Sequence, residues 1–173
     1  MNIIVVDEDE VPDKSNRQKI LVALLIFGLP FIGGLYVNVY FNSAESDEKW
    51  YNTLVKTEFQ PPFYIFGPVW TVLLVLNGGA AYLIWMRSGF GEAPLAFVLY
   101  YIQIILAIWY VPLFFSLHKL LGSFLVLAAL WSMLCIKLIM FARIYYFAGI
   151  LVVPYLIWVT FNTILNFSIY RLN

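Results

Sequence analysis

Thiol and imidazole are almost missing: one cysteine, Cys135, and one histidine, His118, stand among 173 residues. Cys135 lies in an apolar run with no intrachain partner, which excludes a disulfide or a thiolate metal site. His118 lacks the carboxylates or thiols that would complete a coordination sphere, so no metal site and no required cofactor are expected. Charge is scarce as well, at 12% of residues with a formal net charge of zero, and nothing in that balance attracts nucleic acid. No Asp or Glu falls inside the long apolar stretches, which removes the carboxylate relays of proton-coupled pumps. With 63% hydrophobic residues and a mean hydropathy of +0.86, too little polar surface remains to solvate a globule.

What is present instead is length for crossing a bilayer. Apolar spans run over about 20–41, 65–86, 94–116, 120–141 and 146–169, each near the roughly 20 residues that a hydrocarbon core requires. In lipid every backbone N–H and C=O must be satisfied within the segment, and the alternation of a barrel strand is absent, so the spans are read as helices. The expected fold is an all-α integral membrane protein, an antiparallel bundle of five transmembrane helices over 20–173. Residues 1–19 form a polar tail with Asp7, Glu8, Asp9, Glu10 and Asp13 ahead of Lys14, Arg17 and Lys19; a secretory signal would open on basic residues, so the tail is expected to be retained. Short turns near Gly89-Phe90-Gly91, His118-Lys119 and Arg143 imply sequential antiparallel neighbours. Loop 42–64 is longer and mixes charges with Trp50, Tyr51, Phe59 and Phe63; it is expected to act as a lid, with Pro61 and Pro62 stiffening its return. Six basic residues against four weakly favour the N-terminus inside, with Lys137 counted on the N-terminal side as a residue that snorkels to its span end.

Aromatic rings make up 19% of the chain. Trp50, Tyr51, Tyr64, Trp85, Tyr145, Tyr146 and Tyr170 lie near span ends and suit an interfacial belt. Trp131 and Trp158 sit about 18 Å into their spans and need a partner for the indole N–H. Trp158, Asn162 and Asn166 share one face of the fifth span, and Gln103, Ala107 and Tyr110 one face of the third. Unpaired carboxamides are costly in hydrocarbon, so Gln103, Asn162 and Asn166 face other helices or a cavity. Two roles stay open for them: hydrogen-bond glue between helices, or the polar points of an aromatic pocket for a large flat ligand. Gly78-Gly79-Ala80-Ala81 reads as a close-packing surface.

The segments WYNTLVKTEFQPPFYIFGPVWT, GGAAYLIW, QIILAIWYVPLFF and PYLIWVTFNTILN resemble the translocator protein family, also called tryptophan-rich sensory protein or peripheral benzodiazepine receptor, from about Trp50 to Asn173. The resemblance implies a five-helix membrane protein, often a homodimer, that binds protoporphyrin IX-type tetrapyrroles and, in animals, sterols and synthetic drugs. It implies a pocket lined by Trp50, Pro61, Trp70, Gln103, Trp109, Trp158 and Phe161. Light- and oxygen-dependent porphyrin breakdown by some members would make Trp70 and Trp158 candidate catalytic residues. Whether this chain is a receptor or transporter, such an enzyme, or a structural membrane subunit stays open. So does its membrane: plasma membrane in a microbe, organellar in a eukaryote.

Departures from the family pattern fall within the same motifs. Ala107 stands where an asparagine is usual, Asn162 where a small residue is usual, Thr57 where a proline is usual, and Leu74 and Asn77 where tyrosine and methionine are frequent. The departures at Ala107 and Asn162 fall at pocket positions, and Asn166 joins them as a candidate through the face it shares with Trp158 and Asn162; an amide moved from position 107 to 162 between facing helices is the expectation to test.

Overall fold

The computed structural model describes residues 14–43, 45–56 and 60–173. The acidic residues Asp7 to Asp13, Thr57 and Phe59 lie outside the described residues. Six α-helices follow in order: α1 (Asn16–Ser43), α2 (Glu45–Thr53), α3 (Phe66–Ser88), α4 (Pro94–Val111), α5 (Leu120–Ile144) and α6 (Tyr146–Leu172), with no strand among the described residues. Five stretches are long and apolar enough to cross a bilayer, namely Asn16–Val37, Phe63–Ser88, Pro94–Ser116, Leu120–Ile144 and Tyr146–Leu172.

The helix ends follow local chemistry. Pro94 opens α4 in its first turn, where a missing N–H removes no intrahelical bond. Gly89 closes α3 at a φ of 68°, a region open to glycine at little cost. After α4 the chain widens into a π-helical turn over Pro112–Ser116, in which the Leu117 N–H donates to the Pro112 carbonyl at 2.9 Å. His118 then takes a positive φ of 53° and lies exposed.

Around the bundle the spans neighbour one another in the order α1, α3, α6, α5, α4, with α4 returning to α1; α3 and α4, though joined by a short turn, scarcely touch. Small residues set the spacing. A Cβ on Gly78 would stand 2.8 Å from the Phe27 ring of α1, and one on Gly149 would stand 2.9 Å from the Ala142 Cα of α5. Ala80 and Ala81 are fully buried, so the small-residue run does serve close packing.

Segment 42–64 is not irregular throughout, because α2 forms within it. Glu45, Asp47 and Glu48 occupy the first turn of α2, where carboxylates suit the helix dipole. The α2 helix packs on the π-helical turn. The Tyr40 hydroxyl donates to Asp47 Oδ2 and lies 2.7 Å from Ser116 Oγ, and Asn173 pairs with both the N–H and the C=O of Val55 at 3.0 Å.

Of the expected belt residues, Tyr64, Tyr146 and Tyr170 are exposed, but Tyr51 and Trp85 are buried. Tyr51 turns inward because rings of Phe63, Phe66, Phe114 and Phe115 surround it at 5.7–6.3 Å. Trp85 packs on Tyr82 and carries the Lys14 ammonium 4.3 Å above its ring. Trp131 faces outward and satisfies its indole N–H within the bilayer by donating to Thr160 Oγ1 at 2.8 Å.

Candidate functional site

Between α2 and the middle of the bundle the interior is built almost wholly of rings. Trp70 of α3 meets Tyr110 of α4 and Tyr155 of α6, each with centroids 5.9 Å apart, and Phe66 meets Trp158 at the same separation. Trp158 stacks on Phe161 at 5.7 Å. Above them Tyr51 closes the cluster, and Trp50 lies stacked on His118 at 3.9 Å. Burial pushes the Tyr51 phenol up to about 12, so it remains a hydrogen-bond donor at neutral pH. Pro61 is half-buried at the return of the segment.

Carboxamides cross this interior at two levels. Near α2, Asn166 Nδ2 donates to the Tyr110 hydroxyl and Ser123 Oγ donates to Asn166 Oδ1, each at 2.9 Å, joining α4, α5 and α6. Replacing Asn166 by leucine strands the Tyr110 hydroxyl, while Ser123 Oγ keeps its bond to the Leu120 carbonyl at 2.9 Å; the change is expected to cost about 1–2 kcal/mol, read as a lower unfolding midpoint in detergent. Deeper, Lys137 Nζ of α5 donates to Gln103 Oε1 of α4 at 2.6 Å and to Asn77 Oδ1 of α3. The rings of Phe141 and Tyr100 lie 5.2 and 5.8 Å from that nitrogen.

Lys137 therefore does not snorkel. It is fully buried, because two amide oxygens on neighbouring helices receive it in the interior, and it drops out of the count of basic residues at the span ends. Trp109 also departs from its expected place. It is 60% exposed, whereas Tyr110 beside it is 1% exposed and forms the wall. One residue along an α-helix is a rotation of about 100°, so only one of the two can point inward. Asn162 is buried but sends its amide N–H to the Trp158 carbonyl of its own helix at 2.8 Å; the amide that bridges helices in α6 is Asn166. The pairing of Ala107 with Asn162 as an exchanged amide is thus not what joins α4 to α6, although Ala107 itself is buried.

Several buried polar atoms find no partner among the described residues: the indole N–H of Trp70 and Trp158, the hydroxyls of Tyr51 and Tyr155, Asn162 Oδ1, and the amide nitrogens of Asn77 and Gln103. Buried groups of this kind are nearly always paired in a closed protein core. Tyr155, Lys137 and Asn77 were not among the residues expected to line the site. Tyr155 had a signal, since it lies seven residues before Asn162 on one helical face. A separate apolar groove of about 470 Å³ runs on the outer side of α1 and α3, along Leu24, Phe27, Phe31 and Val75, away from these atoms.

Residues 24–171 match the TspO/MBR family. The chain belongs to that family. The match extends through most of α1, beyond the Trp50 limit of the motif resemblance. The chain is 33% identical to the tryptophan-rich protein TspO of Chlorobaculum tepidum, over 91% of this chain and 99% of that one. It is 35% identical to the tryptophan-rich sensory protein of Cereibacter sphaeroides over 73% of this chain and 78% of that one, and 31% identical to the human translocator protein over 72% and 75%. With five spans of sufficient length, this TspO/MBR protein is a multi-pass integral membrane protein.

Proposed function

We propose that the protein is a membrane receptor or transporter-like binder of protoporphyrin IX-type tetrapyrroles, with sterols as further flat apolar candidates. The observation that carries the reading is the coincidence of aromatic walls with unpartnered buried polar atoms, Trp70 Nε1, Trp158 Nε1 and Asn162 Oδ1. A flat macrocycle carrying nitrogen and carbonyl groups satisfies those atoms while covering the rings, as apolar pockets with a few fixed polar points do. The rings touch one another, so a ligand enters by parting them, and segment 42–64 with α2 serves as the lid that yields. Names of relatives, translocator and sensory protein, accord with binding. By the same resemblance the working unit is a homodimer.

Titrating the purified protein in nanodiscs with protoporphyrin in the dark is expected to quench tryptophan emission saturably, and Trp70→Phe with Trp158→Phe to weaken binding by about tenfold through two lost N–H donors. Non-saturable quenching that is identical in the double variant would leave a structural role for the rings.

A second reading rests on the contacts of Trp70 with two phenols. Tyr110 and Tyr155 flank it at 5.9 Å and can supply an electron to an oxidised indole. Illumination under oxygen would then bleach the bound porphyrin, and the same double variant would keep it intact.

A further inference from the structure

The deep polar cluster is more than a clasp between helices. Lys137, Asn77 and Gln103 come from α5, α3 and α4, and all three are fully buried. An ammonium has donors only, so the amides must offer it their oxygens, and the structure has them so placed. Each amide nitrogen hangs from the same carbon as the oxygen that Lys137 holds. The two unpaired NH₂ groups therefore lie beside the ammonium, leaving a concentration of donors without an acceptor.

Among the described residues no carboxylate balances it. Every Asp and Glu of the chain lies outside α3, α5 and α6, and Glu92 precedes α4. A cluster that served only to join helices would close its own hydrogen bonds, since an unpaired buried donor costs about 1–3 kcal/mol. Beyond those two oxygens, the neighbours of the Lys137 ammonium include the rings of Phe141 and Tyr100, at 5.2 and 5.8 Å. A carboxylate carries about four acceptor positions, enough for Nζ and both amides at once.

We propose that Lys137, Asn77 and Gln103 form a site for the acid group of an amphipathic ligand, the acid at the base of the interior and the apolar body among the rings above. Placing the body there rests on the receptor reading. Asn77 lies seven residues beyond Trp70 on α3, and Gln103 seven before Tyr110 on α4, so acid and ring layers are about 10 Å apart. That distance suits a carboxyalkyl arm on a flat body, or the head of a fatty acid.

The test compares free acids with their esters, which keep the body and remove the charge. Two pairs are used on the protein in nanodiscs: protoporphyrin IX with its dimethyl ester, and palmitic acid with methyl palmitate. In the wild type at least one acid is expected to bind about tenfold or more tighter than its ester, since hydrogen bonds to a charged group are the strong ones. Lys137→Met is expected to reduce that ratio to about one, and Lys137→Arg to retain most of it. If Lys137→Met does not fold, the wild-type ratio and the arginine variant decide. Absence of a Lys137-dependent preference for an acid in both pairs overturns the proposal, whether or not the compounds bind. Tight, equal binding of both porphyrin forms would sink the acid site and leave the receptor reading standing. Acid preference for palmitate alone, with no porphyrin bound, would do the reverse.

Discussion

Replacing Asn77 and Gln103 together by leucine is expected to lower stability by about 3–5 kcal/mol, the scale on which a buried charge deprived of its partners destabilises a protein. Both oxygens that receive Lys137 are lost, and nothing acidic in the neighbouring spans replaces them. Adding Lys137→Met to the pair should return most of the loss, because a buried polar cluster exchanged whole for apolar side chains of similar volume is often neutral or stabilising. Denaturant titration in mixed micelles, following helix content for the wild type, the double variant and the triple variant, reads the difference. A double variant as stable as the wild type would mean that Lys137 reaches water by a route that does not involve α3 and α4.

Gly149→Ala is the second large effect, at about 1–3 kcal/mol from overpacking. The added methyl would meet Ala142 at 2.7 Å from its Cβ, 2.9 Å from its Cα and 3.2 Å from its N, and two of those atoms are backbone that cannot rotate away. The α5–α6 pair makes the most extensive contact in the bundle, so the helices must separate to admit the methyl. Gly28→Ala supplies the contrast. Nothing lies within 4 Å of its added carbon, and relief of the helical cost of glycine, about 1 kcal/mol, should leave that variant as stable as the wild type or more so. Thermal unfolding of both in one detergent separates close packing from helix propensity.

The spans were legible because bilayer physics leaves few alternatives: a continuous apolar run must pair its own backbone, and that requirement acts on each segment alone. Helix α2 was harder to read, since its first turn carries three carboxylates that look like a solvated loop until their place at a helix N-terminus is known. The inward wall of α4 was legible by face counting, which joined Tyr110 to Gln103 and Ala107. The family resemblance placed Trp109 in that wall as well, whereas the structure turns it outward, because a one-residue offset on a helix changes which side of the bundle a ring sees. Lys137 was visible as an oddity, a lone cation in a span. Its partners sit 60 and 34 residues away on helices that only the tertiary arrangement brings together, so local reasoning sent it to the nearest span end. Asn162 and Asn166 look alike in sequence; which of them bridges helices depends on whether a neighbouring hydroxyl stands opposite.

The division between Trp70, 1% exposed, and the outward pair Trp109 and Trp131, at 60% and 40%, has a spectroscopic consequence. Ultraviolet emission from the six tryptophans of this chain therefore includes an inner and an outer population in different surroundings. Brominated acyl chains address the outer indoles, while a pigment held in the interior addresses the inner ones, and a bulk intensity change assigns itself to neither until the two quenchers have been used side by side.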